Sequence, residues 1–167
     1  EQVWYSGTLT RTAWNDRASG QRSYPQATGT DAYLYDHEFG LDDGSVDPAV
    51  PVDAYIQSAD FDIGDGDNFM FIKRILPDLS FNSSTATNPE VTFTMIARNF
   101  SGSGTNTGTD SGDVIRTTTL GGGHDYTDQI FMRLRGRQMA LKVESDTLGV
   151  KWRLGAPRLE LRPDGRR

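Results

Sequence analysis

Apolar and polar residues alternate along this chain in short runs, and Gly, Asp, Asn or Pro separates one run from the next. No window sustains a helical period with capping residues, so the pattern predicts strands throughout. "DAYIQSADF" (53–61) reads as one strand. "NFMFIKRIL" (68–76) is apolar on both faces, which predicts a central strand covered on both sides, and Pro77-Asp78 stops it. In "EVTFTMIARNF" (90–100), Val91, Phe93, Met95 and Ala97 alternate with Thr92, Thr94, Ile96 and Arg98, and its β-branched residues suit a strand. "DVIRTTTL" (113–120) is a weaker strand of the same kind.

The last 38 residues carry the clearest alternation. Ile130, Met132 and Leu134 fall in one phase and Phe131, Arg133 and Arg135 in the other. Met139, Leu141 and Val143 alternate with Lys142 and Glu144. Val150, Trp152 and Leu154 alternate with Lys151 and Arg153, and Leu159 and Leu161 with Arg158, Glu160 and Arg162. Successive side chains of a strand point to opposite faces, so this predicts an antiparallel meander with one apolar face and one basic face. Arg133, Arg135, Lys142, Lys151, Arg153 and Arg158 are the candidate interaction face. Phe71, Ile72, Met95, Leu134, Leu141, Val143, Trp152 and Leu159 are the candidate core.

Between the strands, "SGSGTNTGTDSG" (101–112) has no apolar group to anchor it and predicts a flexible hairpin tip. "HEFGLDDGSVDPAVP" (37–51) reads as a linker, while "EQVWYSGTLTRTAW" and "DAYLYD" (31–36) read as strands of another unit. The expected organisation is therefore residual strands plus linker over 1–52, then an all-β domain over 53–167. That domain is expected to be an antiparallel β-sandwich of the jelly-roll kind.

Composition narrows the chemistry. A chain of 167 residues is long enough for a buried core, and the strand-like opening from Glu1 suggests part of a longer protein. The absence of Cys excludes disulfides, thiolate metal sites and Cys nucleophiles. No apolar run approaches the ~20 residues of a membrane span. Charge is divided unevenly: residues 1–129 hold 7 Lys/Arg against 19 Asp/Glu, and residues 130–167 hold 10 against 4. Fourteen of the 17 basic residues are Arg, the side chain suited to multidentate pairing with carboxylate or phosphate. The basic face is accordingly expected to meet acidic groups, from residues 31–67 or from a neighbouring copy.

Candidate catalytic and metal motifs fail on spacing. "IGDGDN" (63–68), with Asp60 and Asp62 upstream, resembles a calcium loop only superficially. A loop begun at Asp60 puts Asp65 where Gly is needed and Phe71 where Glu must close it; one begun at Asp65 has Phe69 fifth. Asp62, Asp65 and Asp67 are expected to form a tight turn into the next strand. There is no nucleophile elbow and no phosphate-binding loop, and neither His37 nor His124 has metal-ligand spacing. No enzyme activity, cofactor or metal is expected. "RLRGRQ" and "RPDGRR" offer phosphate contacts, yet among the basic residues of the alternating strands only Phe131 is interleaved, so pairing with protein is the more economical reading.

The strings "TRTAWNDR", "YPQATGTDAYLYDHEFGLDDGS", "AYIQSADFDIGDGDNFMFIKRILPDL" and "MRLRGRQMALKVESDTLGVKWRLGAPRLELRPDGRR" together resemble the C-terminal part of a phage virion protein. They are similar to the tail nozzle, or tail tubular B, family of short-tailed phages, relatives of the packaged-DNA stabilisation factors. The resemblance implies a larger parent, a β-propeller followed by β-rich domains, assembled as a ring of six around the DNA exit channel of the virion tail. Residues 1–52 would then be the last propeller strands, with Trp4, Trp14 and Tyr33–Tyr35 as blade positions. The implied partners are further copies, other tail proteins, and genomic DNA passing without sequence-specific binding. No catalytic or ligand residue is implied. An acidic lumen would repel phosphates and let DNA slide. The alternative is a carbohydrate- or receptor-binding sandwich of the adhesin kind, using Trp14, Tyr24, Tyr55, Tyr126 and Trp152.

Overall fold

The computed structural model of the chain describes residues 10–16, 24–100, 114–121 and 129–166, the segment 114–121 by its backbone alone. These residues form strands and turns and no helix. The first strands are β1 (Ala13–Asn15), β2 (Gln26–Thr28), β3 (Leu34–Asp36), β4 (Asp42–Asp43) and β5 (Val50–Pro51). The next are β6 (Ala54–Gln57), β7 (Phe61–Asp62), β8 (Met70–Leu76), β9 (Leu79–Ser80) and β10 (Glu90–Arg98). The last are β11 (Val114–Gly121), β12 (Ile130–Gly136), β13 (Gln138–Ser145), β14 (Arg153–Leu154) and β15 (Arg158–Pro163). The fold is all-β, and every pairing is antiparallel.

Two sheets share one core. The larger runs β11-β10-β13-β6, with β7 on the same edge of β13 as β6, and the smaller runs β12-β8-β15. Val91, Phe93, Met95 and Ala97 of β10 and Met139, Leu141 and Val143 of β13 face Met70, Ile72 and Ile75 of β8 and Ile130, Met132 and Leu134 of β12. Cross-strand register places Phe93 beside Val143 and Met95 beside Leu141, so the apolar phase of each strand lands on the same side. Trp152 and Leu159, expected in the core, pack against it while half-buried. A separate three-stranded sheet, β1-β2-β3, lies N-terminal to these. Asp42 accepts a hydrogen bond from the backbone N–H of Gly149 (2.7 Å), which ties the 37–51 segment to the loop after β13.

Three expectations need correction. The C-terminal strands do not form one meander: β12 belongs to the smaller sheet, β13 to the larger, and β14 pairs, among the described residues, with β9 alone. The chain changes sheets at Gly136–Arg137, where a Cβ on Gly136 would stand 2.8 Å from Ala97 Cβ and 3.2 Å from Arg98 O. Only a residue without a side chain lets the strands cross this closely. Next, β8 is central in its sheet but among the described residues is covered on one side only, and Phe71 lies on the outer face instead of in the core. Last, 53–61 is two short strands, because Ser58 interrupts the pairing: its N–H donates to Leu141 O (2.9 Å) and its hydroxyl accepts from Leu141 N–H (3.0 Å). The segment 101–112 lies outside the described residues.

Candidate functional site: a basic face carrying aromatic rings

The site begins with a register irregularity. Across the same span of the smaller sheet, β15 runs from Leu159 to Leu161, β8 from Ile75 to Ile72, and β12 from Ile130 to Leu134. Each successive strand thus carries one residue more, a double bulge. In β12 the longer path keeps its alternation, with Met132 buried and Arg133 outward, whereas β8 breaks its alternation so that Lys73 and Arg74 lie together between buried Ile72 and Ile75. The outer face therefore gathers Phe131 and Arg133 from β12, Phe71, Lys73 and Arg74 from β8, and Glu160 and Arg162 from β15.

A groove of about 400 Å³ opens there, lined by Phe71, Lys73, Arg133, Glu160, Leu161 and Arg162. Arg162 lies over the Phe71 ring, 5.1 Å from its centroid. Glu160 pairs with Lys73 (3.6 Å) and with Arg74, which also donates to Gln129 Oε1 (2.7 Å). Arg133 makes no ion pair or hydrogen bond among the described residues, and Phe131 is 70% exposed.

Beside this face the arginines do something else. Arg135 and Arg137 both lie over the Phe69 ring, at 3.9 and 4.8 Å. Arg135 donates to the Asp164 carboxylate (2.7 Å) and carbonyl (3.1 Å), and Arg137 to the carbonyls of Gly66 (3.4 Å) and Arg166 (3.0 Å). Phe69 N–H donates to Gly165 O, and Asp164 N–H to Phe69 O. The three segments 63–69, 135–137 and 164–166 thus form one knot. "IGDGDN" is its turn: Gly64, Asp65 and Gly66 all have left-handed φ (62°, 58° and 77°), and Asp67 N–H closes on Gly64 O (3.2 Å). Among the described residues no group of three His, Cys, Asp or Glu is placed to hold a metal ion.

The six candidate face residues are therefore divided. Arg133, Arg135 and Arg158 project from the smaller sheet, with Arg135 committed to the knot. Lys142 is on the larger sheet, paired with Glu144 and lying over Tyr55 (5.2 Å). Lys151 precedes β14 and Arg153 lies within it. Sequence reasoning placed Phe71 in the core, read Arg162 as outward without including it in the candidate face, and missed Lys73, whose outward position was hidden by the apolar composition of 68–76.

The aromatics of the sugar-binding alternative are not gathered in one place. Trp14 packs at a tilt against His37 (ring centroids 4.9 Å apart) and Tyr24 against Phe39 (4.9 Å) in the N-terminal segment, Tyr55 is on the larger sheet, and Trp152 is half-buried against the core. Tyr126 lies outside the described residues. Near the first pair, Tyr35 donates a hydrogen bond to Asp31, which holds the Asp31 carboxyl below its ordinary range and raises the Tyr35 phenol. No helix of the described residues is long and apolar enough to cross a membrane.

The geometry defines an all-β chain with a basic, aromatic sheet face. Comparison with protein-family models and with curated proteins finds no match to the chain.

Proposed function

We propose that this chain is a structural part of a phage tail conduit of the nozzle kind, working through contacts between subunits and not through chemistry on a substrate. One observation carries the reading: the outer face of the smaller sheet leaves Phe131 and Leu161 exposed and Phe71 half-buried under Arg162, among Lys73 and Arg133. Apolar surface rimmed by charge on rigid strands is the composition of a protein interface. In this reading the two sheets form a sandwich of the jelly-roll kind, and β1–β3 complete a propeller-type unit. The sequence resemblance supplies the setting, a virion tail. The acidic surplus of residues 1–129 suits a wall along which DNA slides, since carboxylates repel phosphates.

Negative-stain microscopy of the purified chain, with sedimentation analysis, tests this. Closed rings with an open centre are expected, with no more than weak, steeply salt-dependent retention of duplex DNA. A strictly monomeric protein that binds a glycan array would overturn it in favour of an adhesin.

A further inference from the structure

The basic face has a counterpart on the other side of the molecule. In the larger sheet, Thr92 of β10, Glu144 of β13 and Tyr55 of β6 form one cross-strand row. They alternate with Phe93 and Val143, which enter the core, so this row faces away from the smaller sheet. Around it opens a second groove of about 530 Å³, to which Asp53, Glu144 and Asp146 contribute carboxylates and Tyr55 an exposed ring. Its one cation, Lys142, is paired with Glu144. One groove thus presents three cations and one carboxylate around Phe71; the other presents three carboxylates and one cation around Tyr55.

We propose that these two faces are the halves of one interface, the groove around Phe71 in one copy seating on the groove around Tyr55 in the next. The inference rests on the reading of the chain as a self-associating structural protein and names the surfaces involved. Arg133 and Arg162 reach Asp53 and Asp146 of the second copy, and the planar guanidinium forks match carboxylates. The basic half is built on paired strands, and Asp53 and Asp146 directly adjoin the paired ends of β6 and β13, so little order is lost on docking. Glu160 sits among the cations and disfavours a nucleic-acid phosphate, whereas the chain itself carries a surface of the opposite sign. Two different faces on opposite sides of one core make the contact head-to-tail. Each added copy leaves one face of each kind free, so assembly proceeds to a closed ring or a filament.

Sedimentation of the 167-residue chain with two double variants tests this. Arg133→Glu with Arg162→Glu reverses one face, and Asp53→Lys with Asp146→Lys reverses the other. Each variant alone should associate about tenfold or more weakly than wild type, with an unchanged far-UV spectrum. Mixed in equal amounts they should associate again, because each retains the native half that the other lacks. Should a reversal variant fail to fold, Arg133→Gln and Asp146→Asn should each show a smaller loss of the same kind. Association unaffected by either reversal, or no recovery on mixing, overturns the proposal. So does retention of a DNA oligonucleotide that Arg133→Glu abolishes while sedimentation stays as wild type. If rings persist in both variants, the interface lies elsewhere and the structural reading survives. If the wild-type chain never associates, both fall.

Discussion

Arg133 and Arg135 are two residues apart on one strand, in the same phase, yet their environments differ completely. Arg135 is held by Asp164 and stacked on Phe69, while Arg133 touches no partner among the described residues. Arg137→Ala, which strips the donors from the Gly66 and Arg166 carbonyls and removes a stacked cation, should cost about 1–3 kcal/mol in urea unfolding. Arg133→Ala should stay within about 0.5 kcal/mol of wild type by the same measurement. Gly136→Ala should destabilise by about 1–3 kcal/mol, because the new methyl meets Ala97 and the Arg98 backbone and neither can retreat. The Asp31 carboxyl provides a titration test. Its pKa is lowered chiefly by the Tyr35 hydroxyl, so the contact stabilises the fold above the ordinary carboxylate range and fades as pH falls through the lowered value. Tyr35→Phe should move the Asp31 carboxyl titration upward, read by NMR of its side-chain carbon.

At the level of strands, the alternation in β12 matches expectation: Ile130, Met132 and Leu134 are buried and Phe131, Arg133 and Arg135 exposed. This is so because side-chain direction within a strand is a local property of an extended backbone. Where a strand breaks is not local. The pattern over 53–61 contains no residue that forbids a continuous strand, and the interruption comes from Ser58 meeting Leu141. Replacing Ser58 with Ala should remove the acceptor of the Leu141 N–H and cost about 1 kcal/mol. Hydrogen exchange at the Leu141 amide should accelerate, while exchange at Met95 and Phe93 stays slow. The double bulge follows the same rule: Lys73 and Arg74 lie side by side on the outside because Ile72 and Ile75 both have core positions to fill.

For the whole molecule, charge separation across the core is the feature on which the proposed assembly rests. Screening by salt weakens contacts between exposed charges separated by more than about 10 Å at 0.1 M ionic strength. Self-association of the chain should therefore weaken as salt rises, although burial of Phe131 and Tyr55 should keep part of it salt-independent. The all-β class, the strands at 68–76, 90–98 and 130–145 and the apolar phase of 90–98, 130–136 and 138–145 were legible in the sequence, because alternation is set by neighbours along the chain. The partner of each strand was not. β12 and β13 read as a hairpin, and only the narrow crossing at Gly136 over Ala97 sends them to different sheets. Nor could spacing show that 63–69, 135–137 and 164–166 meet, or that Phe71 leaves the core for a basic groove. Those positions depend on which distant backbones lie side by side, a choice made by the shared core of Phe93, Met95, Ile72 and Leu134 acting on the chain as a whole.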